Sequence, residues 1–136
     1  VKLDAKKEKS KLARWQAISE AAAKQSKRAV VPQVHSVMSF AQALAYADML
    51  DVRLIPYEMA EDMAKTRSLI EEIRPGQSIG IFIGPEGGFA SEEIEQAMAH
   101  ATQPITLGKR ILRTETAGMT VLSILMYTLE GQELKA

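Results

Sequence analysis

The sequence predicts an α/β fold: a three-layer sandwich with helices on both faces of a mostly parallel sheet. Short aliphatic runs alternate with segments of helical period along nearly the whole chain, the pattern of a layered α/β domain. Ile79-Gly80-Ile81-Phe82-Ile83 contains no polar residue, the habit of a strand covered on both faces in a parallel sheet. Polar and charged residues gather in two irregular stretches, 84–89 and 108–115, each after an apolar run and before a helical pattern. Ligands of open parallel sheets bind just beyond the carboxyl ends of the strands, where two such loops can meet.

Taken in order, residues 6–26 read as an amphipathic helix whose apolar face carries Leu12, Trp15, Ile18 and Ala22 at three- and four-residue spacing. Lys27 and Arg28 follow its end, where cations complement the helix dipole. Residues 30–34 form a strand, with Pro32 placing it at an edge or a start. Ser36 or Ser39 caps a helix carrying Phe40, Ala43, Leu44 and Ala47. A strand over 52–57 and a helix over 62–73 follow, the latter stopped by Pro75-Gly76. After the strand at 79–83, Ser91 caps a helix over 92–101, and 105–107 is a short strand. The last helix, 116–129, is apolar nearly all round and must be enclosed, by its own domain or by a second subunit. Gly118 within it costs about 1 kcal/mol relative to alanine, which predicts a close backbone contact at that point.

The chain has 136 residues, 46% of them hydrophobic and 25% charged, which fits one globular domain. No apolar run approaches the ~20 residues that span a bilayer. The absence of cysteine excludes disulfides and thiolate metal sites and fits a reducing compartment; a cytoplasmic location is the expectation. His35 and His100 stand far apart in the chain, so no metal site is expected. The net charge of zero is unevenly spread: residues 1–28 hold nine Lys/Arg against three acids, the remainder eight against fourteen. A basic opening segment steers polyanions towards the molecule, or serves only as a solvated helix face.

Gly84, Gly87 and Gly88 suit tight turns and close backbone approach to a ligand, or simply a turn between strand and helix. A phosphate cradle is disfavoured. The Lys-Ser/Thr of a nucleotide-triphosphate loop and the GxGxxG fingerprint are both missing. Glu86 lies in the loop, and Glu92 and Glu93 sit in the following helix's first turn, where they repel anions. A neutral or cationic ligand fits better. The second loop combines Lys109, Arg110 and Arg113 with Glu115, a set able to grip an anion or to pair internally. Ile111 and Leu112 between them offer an apolar lining for a flat ring. No nucleophile elbow supports a hydrolase.

Ile83-Gly84-Pro85-Glu86-Gly87-Gly88-Phe89 followed by Leu107-Gly108-Lys109-Arg110-Ile111-Leu112-Arg113-Thr114-Glu115-Thr116-Ala117 resembles the signature of the RsmE-type methyltransferases. That family methylates N3 of a uridine in small-subunit 16S ribosomal RNA and belongs to the SPOUT class. The resemblance extends back through Arg14-Trp15, Ala21 to Arg28, and Pro32, so it covers nearly the whole chain.

It implies S-adenosylmethionine as cofactor, a sulfonium cation bearing a flat adenine. Ile83, Gly84, Glu86, Gly87, Gly88, Leu107, Gly108, Ile111, Leu112 and Thr116 would hold it. Glu115 would be the general base, with Glu86 second, and Arg113 would hold a phosphate or polarise a uracil carbonyl. Arg28, Lys109 and Arg110 would contact RNA. The last helix would pass through a deep trefoil knot, a topology otherwise almost absent from proteins, and the enzyme would be a homodimer through the knot and that helix. Residues 1–136 would be the methyltransferase domain. The family's amino-terminal PUA-type RNA-binding barrel and the catalytic domain's first strand and helix have no counterpart in this sequence. Lys109 stands where the family more often has proline. The alternative reading is an RNA- or nucleotide-binding dimerisation module without catalysis.

Overall fold

The computed structural model describes residues 5–27, 29–57, 62–85, 87–108 and 114–135, with side chains over 116–132 in the last helix. Two compact units divide the chain after Ser39.

The first unit is built on α1 (Ala5–Gln25). The strand expected at 30–34 does not form. Its polar groups are taken by α1 side chains instead: Gln16 Nε2 and Ser19 Oγ donate to the Pro32 carbonyl at 3.2 and 2.7 Å. The Val34 N–H donates to Gln16 Oε1 at 2.7 Å, and the Val37 N–H to Glu8 Oε1 at 3.2 Å. The Pro32 carbonyl and the Val34 N–H are thereby engaged with α1 and not with a strand neighbour. The inward stripe of α1 is therefore Glu8, Leu12, Gln16, Ser19 and the buried Ala23, not the apolar set read from periodicity. Trp15 and Ile18 stay 40% and 55% exposed.

The second unit is a three-stranded parallel sheet in the order β2-β1-β3. The strands are β1 (Val52–Pro56), β2 (Ile79–Ile81) and β3 (Gln103–Ile105). The helices are α2 (Phe40–Ala47), α3 (Met63–Glu71), α4 (Ser91–Ala99) and α5 (Thr114–Lys135). Adjacent residues of a strand face opposite ways, and β1 uses both sides. Leu54 packs with Ile70, Ile73, Ile105, Val121 and Leu125, while Ile55 packs with Leu44, Ile94 and Ala97. One core thus lies between the sheet and α3 with α5, the other between the sheet and α2 with α4. These are the three layers expected.

Several boundaries differ from the sequence reading, each for a local reason. β2 is shorter than expected and half-buried, because it forms an edge of the sheet. β3 begins and ends two residues early, since the Thr106 N–H turns away from β1 to Thr66 Oγ1. Pro104 is tolerated because β3 is the other edge. Ala90, not Ser91, is the N-cap of α4; with no acceptor on its side chain, the stabilising contact is its N–H donated to Glu93 Oε1 at 2.9 Å. Asp62 caps α3 by accepting from the Lys65 N–H at 2.9 Å. At the amino ends of β1 and β2, Asp51 and Ser78 exchange backbone and side-chain hydrogen bonds and lock the register. Nearby, the Asp48 carboxylate ties Arg53 to His100.

α5 buries Val121 and Leu125 but leaves Met119, Leu122, Met126 and Tyr127 exposed. Its own unit therefore encloses only one side of it. A Cβ on Gly118 would lie 3.9 Å from Ile83 Cγ1, an ordinary contact, so the tight backbone approach expected there is absent. Gly118→Ala is accordingly expected to stabilise the fold by about 1 kcal/mol through helix propensity. Thermal unfolding of the variant checks this; a lower midpoint would show a contact that the helix geometry does not contain. Among the described residues no helix is long and apolar enough to cross a membrane.

Candidate active site

All three strands run parallel, so the segments after β2 and β3 leave the same end of the sheet, beyond the carboxyl ends of the strands. β1 lies between them. At about 4.8 Å per strand, the two loops start roughly 10 Å apart, a separation one medium-sized ligand can bridge.

The first loop hangs from Phe82 and is pinned at its far end by Phe89. The Phe40 ring meets Phe82 edge-on with centroids 6.0 Å apart, and Phe89 at 5.6 Å. Gly84 is where Phe89 passes over the backbone: a Cβ there would stand 3.1 Å from the ring. Between these anchors the Gly88 N–H donates to the Pro85 carbonyl at 2.9 Å, closing a tight turn. Gly87 and Gly88 have φ of +86° and +78°, and among the described residues nothing lies within 4 Å of where a Cβ would be. Their backbone is open to a neighbour, which is what close approach of a ligand needs.

The second loop starts from the buried end of β3. The Ile105 carbonyl accepts from the Tyr57 N–H at 3.0 Å. Thr106 is buried; its N–H donates to Thr66 Oγ1 at 3.0 Å, and its own Oγ1 accepts from the Gly108 N–H at 3.2 Å. Gly108 follows with φ +102°. The start of this loop is thus fastened to α3. Sequence reasoning missed Thr66 and Thr106; the Thr-x-Gly step at 106–108 is the signal of such a hydroxyl-closed turn. Thr66→Val keeps the shape and removes the acceptor, leaving a buried N–H unpaired. It is expected to cost about 1–3 kcal/mol, measurable as a shift in the urea midpoint with unchanged slope.

Of the residues expected at the site, Ile83, Gly84, Gly87 and Gly88 lie on the first loop, and Leu107 and Gly108 on the second. Thr116 lies in the first turns of α5, where its carbonyl accepts from Thr120 Oγ1 at 2.9 Å. Ile83 Cγ1 lies 3.9 Å from where a Cβ on Gly118 would be, so the start of α5 runs near the first loop. Glu86, Lys109, Arg110, Ile111, Leu112, Arg113 and Arg28 lie outside the described residues, and Glu115 is described only as backbone within α5.

Electrostatics agree with a cationic or neutral ligand. Glu92 and Glu93 occupy the first turn of α4, and Glu93 is engaged in its cap. An anion would meet carboxylates where a phosphate site would offer bare N–H groups. Among the described residues no cluster of three or more His, Asp or Glu side chains could hold a metal ion. A separate cavity of about 260 Å³, lined by Asp51, Arg53, Glu72 and Gln103, lies at the amino ends of β1 and β3, away from the loops.

Comparison with known proteins gives concordant results. A family described as an RNA methyltransferase domain matches residues 1–126. The chain is 38% identical over 133 residues to the ribosomal RNA small subunit methyltransferase E of Bacillus subtilis, covering 96% of this chain and 52% of that protein. The protein of the same name from Mesomycoplasma hyopneumoniae is 40% identical over 113 residues, covering 83% and 47%. The chain spans about half the length of the curated relatives it matches. Among solved structures, a Legionella pneumophila methyltransferase in complex with S-adenosylmethionine superposes with a TM-score of 0.82 at 32% identity, over 93% of this chain and 50% of that one. The Neisseria gonorrhoeae ribosomal RNA small subunit methyltransferase E bound to the same molecule gives 0.69 at 35%, over 94% and 49%.

Proposed function

This chain belongs to the RNA methyltransferase domain family, and on that premise we propose that it methylates N3 of a uridine in small-subunit ribosomal RNA, using S-adenosylmethionine. The observation that carries this reading is the pair of glycine-bearing loops leaving the carboxyl end of the parallel sheet, with the start of α5 near the first.

The residues present fit the cofactor. Open backbone at Gly87, Gly88 and Gly108 allows close approach of a flat ring, and the carboxylates at the start of α4 disfavour a phosphate ligand but not a sulfonium. Ile83, Gly84, Glu86, Gly87, Gly88, Leu107, Gly108, Ile111, Leu112 and Thr116 would hold it. When bound, it supplies an electrophilic methyl group. The chain's own part is to orient the uridine, exclude water and take the N3 proton. Glu115 is the base in this reading and Arg113 the group that holds a phosphate or polarises a uracil carbonyl. Arg28, Lys109 and Arg110 contact RNA. Positioning of the two reactants is worth about 7–11 kcal/mol and a general base about 10²–10⁴-fold. N3 is hidden in a paired base, so the target uridine is unpaired or flipped.

Residues 1–136 act as the methyltransferase domain in this reading, and α5 passes through a trefoil knot. A homodimer through that helix is supported by its exposed Met119, Leu122, Met126 and Tyr127, which a second copy would cover. Calorimetric titration with S-adenosylmethionine tests the proposal. Binding in the micromolar range, abolished by Gly87→Gln, is the expected result. A folded protein that gives no heat would leave the non-catalytic binding module.

A further inference from the structure

The exposed stripe of α1 is unused by the site just described. Lys7, Lys11, Arg14 and Ile18 follow one another at intervals of four, three and four residues, which puts them on one helix face. Trp15 stands beside them, four residues after Lys11 and 40% exposed. Of the acids of the helix, one shares this face: Glu8 stands seven residues before Trp15, about 20° from it round the helix, but its carboxylate is engaged. Glu8 is turned to the Val37 N–H, and Glu20 lies five residues beyond Trp15, about 140° round the helix. A second face, at Gln16 and Ser19, is occupied by the Pro32 segment of its own unit. What remains is an indole and an isoleucine flanked by cations.

Sequence-tolerant binding of single strands combines these parts: an aromatic face for a base and cations for the phosphates on either side. A protein surface would match the apolar residues but not the charge excess of nine Lys/Arg over three acids in residues 1–28. We propose that this face of α1 docks single-stranded RNA, with a base stacked on Trp15 and the adjoining phosphates on Lys11 and Arg14. The choice of RNA over DNA rests on the proposed methyltransferase activity; the stacking and the charge do not.

Trp15 is the single tryptophan of the chain, so its fluorescence reports this contact directly. The whole chain is titrated with a ten-nucleotide oligouridylate, an oligothymidylate of equal length, and a duplex RNA. Saturable quenching by oligouridylate, stronger than by the other two, is expected. Lys11→Gln with Arg14→Gln should flatten the dependence of log affinity on log salt by about 1.4, or 0.7 per phosphate contact. Trp15→Ala should weaken binding of a labelled oligouridylate about 5–150-fold, the equivalent of about 1–3 kcal/mol per stacked base, and Trp15→Phe should restore part of the loss. Heat from S-adenosylmethionine should be unchanged in all these variants.

Absence of quenching in a chain that still binds S-adenosylmethionine overturns the inference and leaves the methyltransferase reading intact. So does quenching indifferent to the double substitution, or a fluorescence change that follows protein concentration without RNA, which would mean a second copy covers the stripe. Equal quenching by oligouridylate and oligothymidylate overturns the assignment to RNA. Quenching without any heat from S-adenosylmethionine would instead overturn the catalytic reading while keeping the docking face.

Discussion

Glu115→Gln is expected to slow methyl transfer by about 10²–10⁴-fold, the span ordinarily lost with a general base. The amide keeps the size and the hydrogen-bonding reach of the carboxylate but cannot take the N3 proton. Binding of S-adenosylmethionine should therefore stay within about two-fold of the wild type. The two readouts separate the roles: single-turnover transfer of labelled methyl to small-subunit ribosomal RNA measures the step, and calorimetry the affinity. A rate within three-fold of wild type, with normal binding, would move the assignment to Glu86, whose glutamine variant then becomes the decisive one.

Ile105→Ala carries the largest expected cost in stability. Ile105 is fully buried at the end of β3, in the core formed with Leu54, Ile70, Ile73, Val121 and Leu125. Its carbonyl holds the Tyr57 N–H, and the residue after it carries the hydroxyl that fastens the second loop to α3. Removing three carbons leaves a cavity lined from the sheet, α3 and α5. A loss of about 2–5 kcal/mol is expected, read from the chemical-denaturation midpoint. Affinity for S-adenosylmethionine should fall as well, since the strand that positions Leu107 and Gly108 loosens. A variant with the same loss of stability but unaltered affinity would show that the second loop is held by Thr66 and Thr106 alone.

Much of the architecture is visible in the chain as written. Ile79 to Ile83 reads as a strand because nothing polar interrupts it, and Pro75-Gly76 does end the preceding helix. The alternation of these segments points to parallel strands, and hence to two loops at one end of the sheet, before any coordinate is known. The loop residues are legible for a different reason: glycines at 84, 87, 88 and 108 mark either positive φ or a missing Cβ, and the structure supplies both cases. What the glycines do not disclose is which case applies. Gly84 makes room for Phe89, whereas none of the described residues comes within 4 Å of a Cβ position on Gly87 or Gly88.

The sequence by itself therefore determined the three layers, the glycine turns that follow β2 and β3, and the family to which the chain belongs. Only the tertiary structure decided which face of α1 turns inward, that residues 30–34 spend their hydrogen bonds on Gln16 and Ser19, and that β3 stops where Thr66 captures the Thr106 N–H. The reason is physical. Periodicity and residue type measure what a segment can offer to a neighbour, but a hydrogen bond or a buried face also needs the neighbour, and residues sixteen or forty positions away are brought there only by folding.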